Sequence, residues 1–273
     1  VGLNLASRRY IAQQLRAAWR QENRSLYLAG VVDAQFVELQ LDSGDLPPAE
    51  FISGTQGFAH IDFLKIAGNH FPETGNAFLG KFVGLRGLHL DCQLNELPSV
   101  ITDMTQLTHL NLSNNDIRLT DASAQRLAAM VNLQRLELND NPNLGVSPDV
   151  SAMARLNRLN LANTGLTQWP TGAETLSLLE DLHLQGNAIT ELPEALFSDG
   201  RAGSRGRNIL LHENPLSAAT LERIEQYRQT TGIRLGGALG PRHQPVTADS
   251  ISHWLSGIPA TEIPARKALW EQL

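Results

Sequence analysis

The stretch that decides the fold is LTHLNLSNNDI, residues 107–117. Its leucines and isoleucine stand at the first, fourth, sixth and eleventh places, and Asn115 stands at the ninth. The same arrangement returns as LEDLHLQGNAI at residues 179–189, with Asn187 at the ninth place. Two such copies in one chain predict a structural repeat, because each unit of a repeat buries its apolar face against the next unit.

Weaker copies of this template, L-x-x-L-x-L-x-x-N-x-L, extend in both directions. The eight copies begin at residues 36, 61, 85, 107, 133, 156, 179 and 206, so successive starts lie between 22 (85 to 107) and 27 (179 to 206) residues apart. This period falls within the roughly 20–29 residues of leucine-rich repeats. Thr164 replaces the asparagine in one copy. In the copy that begins at Leu85 one residue is missing, and Cys92 and Gln93 stand where the asparagine should be.

The template indicates the local structure of each repeat. In its L-x-L centre alternate residues point to opposite sides, which predicts a short strand with its leucines in a core. Strands of successive repeats then stack in parallel about 4.8 Å apart. The asparagine amide is expected to pair backbone groups of adjacent coils that would otherwise be buried without partners. The eight strands should begin near residues 38, 63, 87, 109, 135, 158, 181 and 208.

The sequence therefore predicts an α/β fold. It is a leucine-rich-repeat solenoid of about eight repeats, with a parallel concave sheet, convex loops and short helices, and helical N- and C-terminal flanks. Among the convex segments, Thr120 is a suitable N-cap for a helix that continues through Met130. Residues 194–197 predict a shorter helix.

Both ends of the repeat region carry sequences suited to covering a terminal coil, which a solenoid requires. Residues 7–20 place apolar side chains on one helical face, and residues 26–28 predict a capping strand. At the other end, residues 220–227 predict an amphipathic cap helix, and residues 233–235 predict a last strand.

The composition changes after the last repeat. Residues 236–241, GGALGP, are typical of a linker, and two helical patterns with Trp254 and Trp270 follow. The chain begins with Val1 and stops inside a helical pattern, so we expect it to be a piece of a longer protein. We predict four segments: an N-terminal helical cap with a capping strand at 1–35, the repeat domain with its C-terminal cap helix at 36–235, a linker at 236–248, and the start of a truncated helical domain at 249–273.

Charge and cysteine content narrow the classes of function. The net charge of −6 argues against nucleic-acid binding, which requires a basic face. The sequence lacks an apolar run of the roughly 18 residues that a membrane-spanning helix needs. The single cysteine, Cys92, excludes an intrachain disulfide and favours a reducing working compartment.

The irregular repeats with Leu-Pro pairs, the N-terminal helix and the tail SHWLSGIPA (residues 252–260) resemble one group of bacterial proteins. These are large proteins, notably from Pseudomonas, in which leucine-rich repeats precede a novel E3 ubiquitin ligase (NEL) domain. The same layout occurs in type III effectors of Shigella, Salmonella and Yersinia. The part specific to this family is the tail from Trp254 to Leu273.

The resemblance implies a substrate-recognition module of an E3 ubiquitin-protein ligase effector. Such a protein is secreted by the bacterium and acts in the host cytoplasm, where the repeats select a host protein and a catalytic cysteine transfers ubiquitin to it. The family's cysteine lies in a Cys-x-Asp motif after the repeats, whereas Cys92 lies inside the repeats and is followed by Gln93 and Leu94. No catalytic residue carries over, so ubiquitin-loaded E2 would meet only a catalytic domain beyond residue 273.

Candidate binding residues stand between the leucines of each strand, on the concave face. We expect this face to bind a partner protein, because the curvature of a repeat solenoid creates an extended surface there. Asn111, which points outward, should contribute little to stability. The predicted partner-binding residues are His89, His109, Asn111, Arg135, Glu137, Arg158, Asn160, Asp181 and His183.

Other chemistry has little support in the sequence, and we expect neither a cofactor nor a metal. His89, His109, His183 and His212 are placed at outward strand positions, but His89 and His183 lie four strands, or about 19 Å, apart, too far to share one ion. Two pairs on adjacent strands remain conceivable, but neither has a cysteine or a clear third ligand. An alternative function is a stand-alone leucine-rich-repeat adaptor or receptor domain with no enzyme attached.

Overall fold

The computed structural model describes residues 38–42, 58–59, 61–198 and 208–236, and in residues 38–42 it describes the backbone alone. The chain separates into two compact units, Val1–Ala238 and Leu239–Leu273, and every described residue belongs to the first. The predicted helix at 7–20, the capping strand at 26–28 and the helical segment at 249–273 lie outside the described residues. Those three predictions stay predictions.

Eight parallel strands form one sheet in which the strand order follows the chain order. Each strand begins at the residue that the template predicts. The strands are β1 Glu38–Asp42, β2 Phe63–Ala67, β3 Gly87–Asp91, β4 His109–Asn111, β5 Arg135–Glu137, β6 Arg158–Asn160, β7 Asp181–His183 and β8 Asn208–Leu210.

The leucines of the template form the core, as predicted. The residue at the template's fourth place, the second residue of each strand, faces its counterpart in the next strand, so that Leu110 pairs with Leu136 and Leu136 with Leu159. From β2 to β8 these side chains are buried, as are those at the template's first and sixth places from Leu85 to Leu184. The fold is thus the predicted leucine-rich-repeat solenoid.

Short helices occupy the return segments between the strands. They are α1 Gly75–Leu79, a 3₁₀ helix at Ser99–Asp103, α2 Asp121–Ala128 and α3 Ala195–Ser198. In α2, Thr120 is the N-cap, and its side chain accepts a hydrogen bond from the Ser123 backbone N–H while the Ser123 hydroxyl accepts one from the Thr120 N–H. This capping box confirms the predicted start of α2, which ends two residues before Met130.

The last described helix, α4 Ala218–Thr231, is longer than the residues 220–227 that were predicted. Ser217 caps its start, and Ile224 and Tyr227 are buried on one side. The Tyr227 ring meets the edge of the Phe197 ring at 5.8 Å. The helix therefore packs on the return segment of the preceding coil.

The predicted strand at residues 233–235 was wrong, because no strand follows α4 within the described residues. Gly232 ends the helix in the left-handed conformation (φ +75°), and its N–H donates to the Arg228 carbonyl. The next N–H, that of Ile233, donates to the Thr231 hydroxyl at 3.2 Å instead of a neighbouring strand. The chain then turns again at Gly236, whose φ is +90°.

Buried asparagines connect each coil to the one before it. The Asn115 amide nitrogen donates to the carbonyls of Leu90 and Leu112, each at 2.9 Å. Its oxygen accepts the backbone N–H groups of Cys92 at 3.1 Å and Leu94 at 2.9 Å. The same pattern of bonds to the preceding coil recurs at Asn141, Asn187 and Asn214.

At two positions another side chain replaces the asparagine, and its hydrogen bonds differ accordingly. Cys92 takes the asparagine's place in the shortened copy, and its Sγ donates to the Ile66 carbonyl at 3.3 Å. Thr164 donates its hydroxyl to the carbonyl of Leu161, in its own coil, at 2.7 Å. A thiol or a hydroxyl has one hydrogen, so neither repeats the two donations of the asparagine amide.

We expect Asn115→Ala and Asn141→Ala each to lower the free energy of unfolding by about 1–3 kcal/mol, because buried backbone groups of two coils lose their partners. Asn141 is fully buried and Asn115 is 7% exposed. Urea denaturation followed by circular dichroism measures the change. The matched control is Asn95→Ala, at an exposed asparagine of the convex side, which should leave the midpoint unchanged. Equal midpoints for all three variants would contradict a stabilising ladder.

Candidate functional site

The concave face of the sheet is the candidate site. From β2 to β8 the outward residues are the ones on either side of the buried aliphatic residue at the template's fourth place, so strand pairing arranges them in two rows. The first row is Phe63, Gly87, His109, Arg135, Arg158, Asp181 and Asn208. The second row is Lys65, His89, Asn111, Glu137, Asn160, His183 and Leu210.

Three charged residues near the middle of this face form a small ion-pair network. The Arg158 Nε lies 3.2 Å from a Glu137 carboxylate oxygen on β5. Its terminal nitrogen lies 3.7 Å from the Asp181 carboxylate on β7. The three side chains remain 24–36% exposed, so solvent screens the attraction and these pairs contribute little to stability. Their effect is to neutralise Arg158.

Arg135 occupies the same row as Arg158 on the neighbouring strand, yet its surroundings differ. Among the described residues, no carboxylate lies within ion-pair distance of its guanidinium. Glu137, two residues along the same strand, turns to Arg158 instead. Arg135 is half-buried and borders His109 on β4. It is therefore a partly desolvated cation that the fold does not neutralise.

An apolar patch lies on the other side of His109. Phe63 and His109 are two strands apart, and between them stands Gly87. A Cβ at Gly87 would overlap the Phe63 ring, so the glycine provides the space in which this ring lies on the sheet. The centroids of the Phe63 and His109 rings are 5.7 Å apart, with the planes tilted by 53°. The two rings form one half-buried surface that ends at Arg135.

The side chains of two predicted site residues accept hydrogen bonds from residues two places further along the chain. The Asn111 side-chain oxygen accepts the Ser113 backbone N–H at 2.9 Å and the Ser113 hydroxyl at 2.6 Å. The Asn160 oxygen accepts the Ala162 N–H at 3.2 Å, and this asparagine is 8% exposed. The expectation that Asn111 contributes little to stability stays a prediction, although its side-chain oxygen bonds to the turn after β4. Asn160 offers a partner little surface.

The three concave histidines are held in the neutral form. Burial and the adjacent Arg135 lower the pKa of His109 from 6.5 to about 4. Burial and Lys65 lower the pKa of His89. Burial and Arg158 lower the pKa of His183, although Asp181 and Glu137 oppose the change. At neutral pH these imidazoles therefore present uncharged polar edges beside the charged groups.

One placement in the sequence-based site was wrong, and one surface was missed. His212 follows β8, whose bounds are Asn208–Leu210, and is not an outward strand residue. The patch at Phe63 was not among the predicted binding residues. The sequence pattern that could have revealed this patch is an aromatic residue in one repeat and a glycine at the same template position of the next. These residues are Phe63 and Gly87.

Neither metal chemistry nor membrane insertion has support within the described residues. No three histidine, cysteine, aspartate or glutamate side chains in that part of the chain are grouped so that they could hold a metal ion. None of its helices combines the length and apolar character that a membrane span requires. The concave face carries acidic, basic and uncharged polar side chains side by side.

The repeat region is similar to known proteins. The Leucine Rich Repeat family model matches residues 106–126. The flightless-1 homolog of Mus musculus is 37% identical over 129 residues, which are 38% of this chain and 10% of that protein. Transforming growth factor beta activator LRRC32 of Pongo abelii is 30% identical over 183 residues, 63% of this chain and 26% of that protein. The chain thus spans about a quarter of the second relative's length, and less of the first's.

Among solved structures, a leucine-rich-repeat protein of Leptospira interrogans is 22% identical, with 62% of this chain and 53% of that chain covered and a TM-score of 0.46. The functional domain of InlJ from Listeria monocytogenes is 17% identical, with 68% and 47% covered and a TM-score of 0.42. The chain contains a leucine-rich-repeat module, and such modules bind proteins.

The neutral state of His109 predicts a pH dependence of stability. Because the pKa of His109 is lowered to about 4 in the folded state, the unfolded chain takes up a proton between pH 6.5 and 4 that the folded chain does not. The folded state therefore loses stability as the pH falls through this window. We expect His109→Gln to reduce that loss, measured as the melting temperature at pH values from 7 to 4.

The control is His70→Gln, at an exposed histidine outside the strands. Its melting temperature should follow the wild-type pH profile. A His109→Gln profile parallel to that of the wild type would show that His109 titrates alike in the folded and unfolded chains.

Proposed function

We propose that this chain is the substrate-recognition module of a bacterial E3 ubiquitin-protein ligase effector, secreted by the bacterium and active in the host cytoplasm. The observation that carries the recognition role is the concave face, where half-buried charged, polar and aromatic side chains take no part in the core. The ligase context is supported by the tail SHWLSGIPA at residues 252–260 and its resemblance to proteins with a domain of this type.

The chemistry of ubiquitin transfer is assigned to a segment that follows the repeats. Transfer needs an accessible thiolate, because the thiolate is the nucleophile. Cys92 is the chain's single cysteine, is fully buried, and donates to the Ile66 carbonyl from inside the solenoid. It is a structural residue of the coil. Ubiquitin-loaded E2 therefore interacts with the catalytic domain, which we place beyond residue 273.

The comparisons favour a second candidate, a stand-alone adaptor or receptor domain with no enzyme attached. Both curated relatives named above are animal proteins, and the matches cover 10% and 26% of their lengths. One of them is named as an activator of transforming growth factor beta. Under this alternative the concave face still binds a protein, but no ubiquitin transfer accompanies binding.

A transfer assay separates the two candidates. The product of the complete reading frame is incubated with E1, a panel of E2 enzymes, ubiquitin and ATP. We expect ubiquitin conjugates that disappear when the cysteine of a Cys-x-Asp motif after the repeats is replaced by alanine. Cys92→Ser, which keeps a small donor at the buried position, should leave conjugation unchanged.

Circular dichroism confirms that each variant is folded. Absence of conjugates with every E2 would favour the adaptor. Loss of conjugation in a folded Cys92→Ser protein would overturn the assignment of Cys92 as structural.

Recognition on the concave face is tested on the host protein that the full-length ligase modifies. We expect Arg135→Ala together with Arg158→Ala to weaken its binding by about 2 kcal/mol or more, because arginines are enriched among interface anchors. Isothermal titration measures the affinity. The matched control is Arg126→Ala, at an exposed arginine in the last turn of the convex helix α2. If the control weakens binding and the double variant does not, the partner binds elsewhere.

A further inference from the structure

The two arginines of the concave face are not equivalent. Arg158 lies between Glu137 and Asp181, so a partner carboxylate would have to compete with two internal ones. Arg135 has no carboxylate partner among the described residues. A half-buried guanidinium that is already partly stripped of water loses less hydration when a partner covers it. Arg135 is therefore the better anchor for an acidic group.

The surroundings of Arg135 narrow the chemistry of that acidic group. The carboxylates of Glu137 on β5 and Asp181 on β7 both lie at Arg158 on β6, and they repel any extended negative charge. His109, on the other side, is neutral at physiological pH because its pKa is about 4. The chain as a whole carries −6. A single carboxylate matches this arrangement, whereas a polyanion such as nucleic acid does not.

The aromatic patch beyond His109 adds an apolar requirement. The Phe63 ring lies over Gly87 and reaches His109, so an aromatic surface made of two tilted rings extends from β2 to β4 and ends beside Arg135. Adjacent strands are about 4.8 Å apart, which sets the distance from Arg135 to the His109 edge of the patch at about one strand spacing. In an extended peptide that distance separates residues one or two places apart.

We propose that the strip Phe63–His109–Arg135 binds a protein segment in which an aspartate or glutamate stands one or two residues from an apolar side chain. Arg135 forms forked hydrogen bonds with the carboxylate, which the planar guanidinium favours. The apolar side chain lies on the Phe63 and His109 rings. This inference rests on the proposed recognition role of the concave face and names the chemistry that this face selects.

The probe is a displayed library of randomised twelve-residue peptides, selected on the purified 273-residue chain. We expect the wild type to enrich peptides with an acidic residue one or two places from an aromatic or aliphatic one. Selection on Arg135→Ala should lose the acidic preference. Selection on Phe63→Ala should keep the acidic preference and lose the apolar one.

A double-mutant cycle on one selected peptide then assigns the contact. Replacing the peptide's glutamate by glutamine should weaken binding to the wild type at least about tenfold, as measured by fluorescence polarisation. The same replacement should have almost no effect on binding to Arg135→Ala. The glutamate-to-glutamine replacement should still weaken binding to Arg158→Ala, which controls for the loss of a nearby positive charge. It should also still weaken binding to the convex variant Arg126→Ala.

Gly87→Ala provides an independent test of the patch. Its Cβ would displace the Phe63 ring without removing it. We expect this variant to lose the apolar preference as Phe63→Ala does. An unchanged preference in both folded variants would overturn the assignment of the patch.

Several outcomes overturn the proposal as a whole. They are a wild-type selection with no acidic enrichment, a selection that enriches nothing, and a cycle in which the glutamate effect survives in Arg135→Ala. In each case the titration with the host protein still decides the proposed function. Host binding that is lost in the double variant but unaffected by Arg135→Ala alone would leave concave recognition standing and reject Arg135 as the anchor.

Discussion

The amide of a buried asparagine, shared between two coils, is the interaction on which this solenoid depends. After each strand the chain turns beneath the sheet, where its N–H and carbonyl groups lose contact with water and must find partners. Asn115 supplies partners on both sides at once, since its nitrogen donates to Leu90 and Leu112 and its oxygen accepts from Cys92 and Leu94. Such bonds fix the offset between neighbouring coils. The strand register follows from that offset, and the rows of the concave face follow from the register.

This dependence explains why the fold was predictable from the sequence. The leucines and the asparagine recur at fixed places, so the first residue of every strand could be predicted correctly. The prediction failed where no template applies. Residues 233–235 have the alternating pattern of a strand, but Gly232 adopts a left-handed conformation and Ile233 donates to Thr231. Local backbone geometry at the helix end outweighs a three-residue pattern.

The candidate site was predictable only as a set of positions. Alternation identifies which residues point outward, but the contacts between them depend on side-chain conformation and on diagonal neighbours. Glu137 could approach either arginine, and it turns to Arg158. Asn160 was expected to face a partner and instead accepts a bond from Ala162. A pattern that records position alone cannot distinguish a neutralised arginine from a free one.

Under the proposed recognition role, the uneven pairing of charges is the source of selectivity on the concave face. Were Arg135 and Arg158 both free, two cations about 4.8 Å apart would attract any dense negative charge, including phosphates. Glu137 and Asp181 neutralise Arg158, whereas Arg135 has no carboxylate partner among the described residues and stands next to an uncharged imidazole that contacts an aromatic ring. Specificity arises from such repulsive elements as much as from attractive ones. In the proposed recognition role, the acidic residues of this face therefore act by excluding polyanions, and they need not contact the partner themselves.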